Sequence, residues 1–284
     1  MRFQLDLTKE YGIVLEGGGA RGSYQIGAWK ALREAGIKIR GIAGASVGAL
    51  NGALICMDDL EKAEEIWENI RYSQVIDVDD DVIETVKKLD LKSLNLVKVA
   101  EDAKKILKDK GLDITPLKNL IESVVDEDKI RSSDRELYLT TYSVTDRELL
   151  VLNAKDIPDG EIGDMLLASA YFPAFRNDKL GGKRYLDGGG WNNVPINILL
   201  EHDYKDILVI RIYGLGYDSE RTTEIPEDVH VTHIAPRQDL GGILEFDRTR
   251  ARKNMTLGYY DAKRVLYGLE GRWYYLYAPE SDVY

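Results

Sequence analysis

The chain has few residues of the kinds that form disulfides, membrane spans or basic surfaces. Of its 284 residues one is a cysteine, Cys56, which excludes an intrachain disulfide and a cysteine-rich metal site. No run approaches the roughly 18 apolar residues that a membrane-spanning helix needs, and the first residues have no apolar core of signal-peptide length. Lys and Arg number 38 against 49 Asp and Glu, and the net charge of −11 argues against nucleic acid as a partner. We expect a soluble, cytoplasmic protein.

The composition is typical of one folded unit. Hydrophobic residues make up 44% and charged residues 31% of the chain, as in ordinary globular domains. No repeat and no Gly/Ser/Pro-rich linker divides the sequence, so we expect a single domain over 1–284. Residues 58–134 differ from the rest because they are rich in Lys, Glu and Asp and show helical patterns at 60–70, 82–89 and 99–108. We interpret 58–134 as a helical insertion within that domain.

The first part of the chain alternates strand and helix patterns. An apolar run at 11–16 ends in three glycines, a helical pattern begins at Ser23 with Gly36 as its C-terminal cap, and a second strand at 37–43 precedes a helix rich in small residues. This order predicts an α/β fold with a mostly parallel central sheet and helices on its faces. Later patterns predict a hairpin at 136–144 and 148–153, a helix at 162–170, strands at 183–186, 206–212 and 229–234, and a long helix at 244–266.

The glycine turn after the first strand has the spacing G-x-G-x-x-G, formed by Gly17, Gly19 and Gly22. In dinucleotide-binding folds an acidic residue follows about 20 positions later, but 36–47 contains none. Binding of NAD is therefore disfavoured, while Arg40 leaves an NADP-binding oxidoreductase open. The same turn could instead form an oxyanion hole, since N–H groups can approach a developing charge only where side chains do not block them.

A second turn has the pattern of a nucleophile elbow. Gly44-x-Ser46-x-Gly48 lies between a predicted strand and a predicted helix, and small residues two before and two after the serine are what this strained turn requires. The alternative is that Ser46 only caps the helix. The nearby glycine turn favours the nucleophile, because both turns are predicted at the same edge of a parallel sheet.

A serine nucleophile needs a base, and the sequence leaves two choices. A triad of Ser46, Asp187 and either His230 or His233 has the order of hydrolase triads, but both histidines fall inside an apparent strand. Asp187 by itself is the stronger candidate because it ends a strand pattern and precedes a run of glycines. A structural Asp turn is the alternative.

Together these residues resemble the three motifs of the patatin-like phospholipase family. The motifs are Glu16–Gly22 (EGGGARG), Gly44–Gly48 (GASVG) and the Asp187-Gly188-Gly189 triplet, supported by Ala168–Phe175 (ASAYFPAF) and by Asn193-Val194-Pro195. The resemblance covers about residues 11–200. Glu16 departs from the pattern, since family members often have Asp there.

The resemblance implies a patatin-like α/β/α sandwich and a serine hydrolase with a catalytic dyad. Ser46 would attack an acyl ester and Asp187 would act as base, with no metal and no cofactor. Gly17, Gly18 and Gly19 with Arg21 would form the oxyanion hole. The remaining motif glycines are Gly22, Gly44, Gly48, Gly188 and Gly189. The implied activity is that of a lipid acyl hydrolase of the phospholipase A or lysophospholipase type, acting on phospholipids or other fatty acyl esters.

Other functions stay open at this point. The same residues could serve a carboxylesterase or thioesterase that acts on short soluble esters. A catalytically silent scaffold that interacts through the acidic insertion is disfavoured by the intact Ser46 and Asp187. The aromatic stretch 273–277 predicts either an edge strand or peripheral contact with a membrane. The sequence leaves the oligomeric state open.

Overall fold

A mostly parallel β-sheet organises the protein, whose computed structural model describes residues 5–77, 112–176 and 178–268. The helical patterns predicted at 82–89 and 99–108, and the aromatic stretch 273–277, lie outside these residues. Within them the sheet has seven strands. The strands are β1 (Glu10–Leu15), β2 (Lys38–Ala45), β3 (Glu136–Ser143), β4 (Glu148–Asn153), β5 (Tyr185–Asp187), β6 (Asp206–Ile210) and β7 (His230–Ile234).

Strands β4-β3-β2-β1-β6-β7 follow one another across the sheet. The pairs β2/β3, β1/β2, β1/β6 and β6/β7 are parallel, and β4 closes one edge as the antiparallel partner of β3. The short strand β5 pairs antiparallel with the end of β3. The carboxyl ends of the central strands therefore meet at one edge, where α/β folds form their sites.

Helices connect and cover the strands. Each pattern that predicted a helix in the described residues coincides with one, and Gly36 has the left-handed φ of 79° expected of a residue that ends a helix. None of the described helices is both long and apolar enough to cross a membrane. The helices are α1 (Ser23–Glu34), α2 (Val47–Cys56), α3 (Leu60–Asn69), α4 (Thr115–Val124), α5 (Glu127–Ser132), α6 (Ile162–Ser169), α7 (Gly189–Asn192), α8 (Ile196–Glu201) and α9 (Arg248–Tyr267).

The apolar core lies on both faces of the sheet. Alternate side chains of a strand point to opposite faces, and in β1 Ile13 and Leu15 join the larger cluster with α1 and α2, whereas Val14 joins a smaller cluster with α8. Buried positions of α3 and α4, which belong to the predicted insertion, are part of the larger cluster. The three layers confirm the predicted α/β/α architecture. The boundaries 1–284 and 58–134 stay predictions.

Several elements differ from their predicted bounds by a few residues, and three of these differences lie near the site or have a visible cause. Strand β6 ends at Ile210 rather than 212, because the N–H groups of Ile212 and Tyr213 turn to the carboxylate of Glu16. Helix α9 begins at Arg248 rather than 244, because the side chain of Asp247 accepts from the Arg250 N–H and caps the helix there. Strand β5 is shorter than predicted and includes Asp187 itself.

Helices α1 and α9 pack backbone against backbone. A Cβ atom added to Gly27 would lie 1.8 Å from the carbonyl oxygen of Met255, and one added to Gly258 would lie 2.0 Å from that of Tyr24. Since both neighbouring atoms belong to helix backbones, neither can move aside cheaply. The long C-terminal helix is thus seated on the first helix at a fixed distance.

Gly27→Ala is expected to lower the free energy of unfolding by about 2 kcal/mol or more, because an extra methyl group in a tightly packed contact forces the helices apart. The control is Gly163→Ala in α6, where the nearest atom to an added Cβ lies 3.7 Å away. There the better helix propensity of alanine should raise stability by up to about 1 kcal/mol. Urea titrations of both variants measure this contrast, and equal effects would contradict it.

Candidate active site

Ser46 sits in a strained turn between β2 and α2. Its backbone has φ 54° and ψ −126°, a conformation that non-glycine residues rarely adopt. The turn closes because a Cβ on Gly44 would lie 2.4 Å from the carbonyl oxygen of Gly48, and one on Gly48 would lie 2.1 Å from that of Leu15. The predicted elbow is therefore present in the backbone, and Ser46 stands at the N-terminus of a helix.

The register of β3 brings Asp187 to Ser46. Strand β2 pairs with β3 up to Ala45 and Thr140, and β5 takes over the same edge of β3 with Asp187 opposite Thr141. The two strands thus meet end to end, and both candidate catalytic side chains line one cavity. The Ser46 hydroxyl lies close enough to the Asp187 carboxylate to favour its charged form.

The Asp187 carboxyl is shifted toward the neutral form. Loss of hydration raises its pKa from the ordinary 3.8 to about 6, although the nearby Ser46 hydroxyl and the hydrogen bond from the Gly189 N–H favour the charged form. The Gly189 N–H lies 2.8 Å from Oδ1 of the carboxylate. A carboxylate with this pKa is a better proton acceptor than an ordinary aspartate.

The glycine turn faces the same cavity. Gly18 and Gly19 line it together with Ser46, and within the described residues neither of their N–H groups has an acceptor. Gly17 differs, because its N–H donates to the carbonyl oxygen of Asn193 at 3.2 Å. The N–H of Ser46 is also occupied, since it donates to the Ser169 hydroxyl at 3.0 Å. Two of the three predicted glycines thus line the cavity and have N–H groups without an acceptor among the described residues.

The Arg21 side chain points away from the reacting groups. Its Nε donates to the carbonyl oxygen of Gly241 at 2.7 Å and its Nη1 to that of Ile212 at 3.4 Å, with a further bond to the carbonyl oxygen of Tyr213. It is not among the residues that line the cavity. The guanidinium therefore ties the glycine turn to two other loops.

A buried ion network supports the turn from behind. Glu16 Oε2 accepts from Arg211 Nε at 3.0 Å and from the N–H groups of Ile212 and Tyr213 at 2.7 and 3.0 Å. Burial raises the pKa of Glu16, while Arg211 and the two N–H groups favour its charged form. Arg211 also pairs with Asp218 and Glu220 at 2.7 and 2.6 Å. Oε2 of Glu16 therefore accepts one hydrogen bond from a side chain and two from the backbone.

Asn193 follows the turn at Asp187-Gly188-Gly189, which we call the aspartate turn, and hydrogen-bonds both the glycine turn and the loop of Tyr217. Its side-chain Nδ2 donates to the carbonyl oxygen of Gly17 at 3.1 Å, and its backbone N–H donates to that of Tyr217 at 2.8 Å. Sequence reasoning noted Asn193 and Ser169 only as residues near the motifs and gave them no role. Their partners lie 176 and 123 positions away in the chain, so local pattern carried no signal for either contact.

The structure does not bring the alternative residues to Ser46. His230 and His233 lie on the edge strand β7, where His233 Nε2 is 2.6 Å from Glu220 Oε1, and neither histidine lines the cavity. Arg40 lies beside the start of β1, at the opposite end of that strand from the glycine turn. Its guanidinium pairs with Asp134 at 2.7 Å. The arrangement favours neither the histidine triad nor a phosphate-binding role for Arg40.

No three His, Cys, Asp or Glu side chains of the described residues come together as metal ligands. That the protein needs no metal and no cofactor stays a prediction.

An apolar cavity extends from the catalytic side chains. Its polar side chains are Ser46, Asp187, Asn51 and Asn193, and its other side chains are aliphatic, aromatic or Met. The walls come from α2, α3, α4 and α6 and from the loops at 172–175, 215 and 243–246. They include Leu50, Leu54, Trp67, Leu117, Ile121, Phe172, Phe175, Leu215, Ile243 and Phe246.

Comparison with known proteins shows which family this chain matches. The family model described as patatin-like phospholipase matches residues 13–200. The chain is 58% identical over 50 residues to "Lysophospholipase nte1" of Aspergillus terreus and 57% identical over 47 residues to "Neuropathy target esterase sws" of Drosophila sechellia. These segments cover 18% and 16% of this chain, and the chain spans 3% of the length of each of these relatives.

A solved structure shares the fold. VipD from Legionella pneumophila superimposes with a TM-score of 0.52 at 15% sequence identity, over 90% of this chain and 66% of that one. At this identity the likeness concerns the fold.

The raised pKa of Asp187 predicts a stability that depends on pH. A folded-state pKa of about 6, above the ordinary 3.8, means that the native state loses stability as pH rises through 6 and the partly buried carboxyl becomes charged. Asp187→Asn should therefore raise the free energy of unfolding at about pH 8, on the order of 2 kcal/mol, with a gain that shrinks toward pH 4.

The control is Asp146→Asn. The hydrogen bonds from Lys183 and Ser143 lower the pKa of Asp146, so its charge stabilises the fold at neutral pH and the substitution should be destabilising there. Urea unfolding of both variants across this pH range tests the sign. A gain for Asp187→Asn that did not change with pH would contradict the buried charge as its cause.

Proposed function

The chain belongs to the patatin-like phospholipase family, and we propose that it is a lipid acyl hydrolase of the phospholipase A or lysophospholipase type that uses Ser46 and Asp187. The observation that carries this proposal is the meeting of a strained serine, a carboxylate of raised pKa and two glycine N–H donors at one end of an apolar cavity. Such a cavity would hold a fatty acyl chain with its ester group beside Ser46.

In the proposed first step Ser46 attacks the ester carbonyl carbon. The Ser46 Oγ–C bond forms, the hydroxyl proton passes to the Asp187 carboxylate, and the carbonyl oxygen takes up the negative charge. The N–H groups of Gly18 and Gly19 would stabilise this oxyanion. The tetrahedral intermediate then breaks its bond to the alcohol, which leaves with the proton from Asp187, and an acyl-serine remains.

In the proposed second step water replaces the alcohol. Asp187 takes a proton from the water as its oxygen attacks the acyl carbon, and the proton returns to Ser46 Oγ as the free fatty acid leaves. A carboxylate alone is a modest base, so the rate would depend on the fixed geometry and the oxyanion donors. Arg21, Asn193 and Glu16 would contribute by holding the loops that carry these donors.

The apolar walls of the cavity are relevant to the alternative function, a carboxylesterase or thioesterase that acts on short soluble esters. A carboxylesterase for short chains needs few apolar contacts, whereas each methylene of a bound acyl chain gains about 0.8 kcal/mol from burial. The chain-length preference therefore separates the two substrate classes.

We also propose peripheral contact with a lipid surface beside the cavity. Leu215 lines the cavity, and on either side of it Tyr213 and Tyr217 are 56% and 49% exposed. The N–H of Tyr217 donates to the carbonyl oxygen of Gly189, which places this loop against the aspartate turn. Tyrosine is favoured where an apolar phase meets water, so we call Tyr213 and Tyr217 the aromatic rim.

Ser46→Ala and Asp187→Asn are each expected to lower kcat/KM on p-nitrophenyl fatty acyl esters at least about 1,000-fold, because each removes a reacting group. The wild-type rate should fall as pH drops below about 6, where Asp187 becomes protonated. The matched controls are His230→Ala and His233→Ala, which should keep rates within about twofold. A loss of activity in a histidine variant as large as that in Asp187→Asn would replace the dyad by a triad.

The double variant Tyr213→Ser/Tyr217→Ser is expected to bind phosphatidylcholine vesicles about tenfold more weakly than the wild type, because two interfacial side chains are lost. Co-sedimentation measures this binding. The control is Val151→Ser on β4, an apolar side chain with a comparable exposure of 42%. Equal losses for both variants would mean that general surface hydrophobicity, and not the rim, is responsible.

A further inference from the structure

The apolar cavity follows helix α2 along its length. Ser46 precedes the helix and Met57 follows it, and Val47, Leu50 and Leu54 line the cavity between them. These positions are three or four residues apart and form one stripe of the helix. With a rise of 1.5 Å per residue, the stripe from Val47 to Met57 is about 15 Å long.

Met57 lies at the end remote from Ser46. The N–H of Asp126, just after α4, is 3.4 Å from the Met57 sulfur, which fixes the thioether beside the end of that helix. Val124 and Val125 of the same helix end line the cavity as well. The remote end is thus formed by the methionine that follows α2 and by two valines from the predicted insertion.

An open polar cleft lies behind this wall. Val124 and Val125 line the cleft too, where their neighbours are charged side chains that include Asp59, Lys62 and Arg131. Only the two valines are shared by the two cavities among the described residues. If the methyl end of a bound acyl chain reached past the two valines, it would pass from apolar side chains into water and charged side chains. It would then gain nothing from hydrophobic burial.

We propose that Met57, Val124 and Val125 form an end stop that sets the longest acyl chain the enzyme accepts in full. This inference rests on the proposed function, which it refines by naming the chain length. An extended chain advances ~1.2 Å per bond, so a stripe of about 15 Å accommodates an acyl chain of about 12 carbon atoms. Longer chains would have to bend or to push against the stop.

The test uses p-nitrophenyl esters of butyrate, octanoate, dodecanoate and hexadecanoate with the full chain. For the wild type, kcat/KM should rise up to dodecanoate and fall at hexadecanoate. Met57→Ala removes three heavy atoms from the stop, so the ratio of the hexadecanoate to the dodecanoate value should rise about tenfold or more. Val125→Ala thins the same wall from the other side and should change the ratio in the same direction.

The matched control is Met165→Ala in α6. Met165 is 8% exposed and belongs to the core without lining the cavity, so this variant loses the same atoms and a comparable amount of stability. Its chain-length ratio should stay at the wild-type value. Unfolding curves of all three variants verify that the ratios come from folded enzyme.

The outcomes separate the end stop from the activity on which it rests. A wild type that hydrolyses none of the esters overturns the proposed function and the end stop together. A wild type that is active but whose ratio is unchanged in both Met57→Ala and Val125→Ala overturns the end stop alone. A ratio that rises in Met165→Ala as much as in Met57→Ala also overturns it, since a loosened core would then be the cause.

Discussion

The close approach of backbone to backbone at the carboxyl edge of the sheet is the constraint on which the site depends. A Cβ atom added to Gly48 would lie 2.1 Å from the carbonyl oxygen of Leu15, and one added to Gly188 would lie 2.4 Å from that of Thr140. These contacts fix the turn after β2 against β1 and the turn after β5 against β3. Because the neighbouring atoms are backbone, a side chain at either glycine would move a strand as well as a loop. The motif glycines thus determine where Ser46 and Asp187 stand relative to each other.

A buried ion pair beneath the glycine turn stabilises the loop that packs against this turn. Glu16 and Arg211 are 3% and 12% exposed in their side chains and lie 3.0 Å apart. Burying such a pair costs hydration that the attraction recovers only when the remaining polar atoms find partners, and here two backbone N–H groups and two further carboxylates supply them. The buried pair fixes the path of the loop at 211–214, and Gly214 of this loop packs on the carbonyl oxygen of Gly17. The N–H donors of the turn therefore keep their direction without a ligand to hold them.

Local sequence patterns predicted much of the fold and brought out Ser46 and Asp187 as candidates. They did not predict the features that depend on contacts between residues far apart in the chain. The buried runs of β1 and β2, the hairpin β3–β4 and the C-terminal cap of α1 have local causes. The elbow around Ser46 also has a local cause. Strand β5 has three residues and exists because β2 leaves the end of β3 unpaired. The bonds of Asn193 and Ser169 depend on that same meeting of distant segments. The family resemblance assigned Arg21 to the oxyanion hole. Its side chain donates to carbonyl oxygens of loops about 190 and 220 residues away, which no local pattern shows.

Helix α2 connects the chemistry of the site with the shape of its cavity. Its N-terminus follows Ser46 and its apolar stripe forms one wall for the length of the helix, so the direction of a bound chain and the position of its ester group would be fixed by a single rigid element. The same apolar surroundings remove water from Asp187 and raise its pKa. A chain that filled the cavity would displace more water from that carboxyl and strengthen its tendency to accept the serine proton. The apolar wall that would bind the acyl chain therefore also raises the pKa of the carboxylate that would accept the proton. An acyl chain that makes more apolar contact within the cavity should favour the reaction as well as binding.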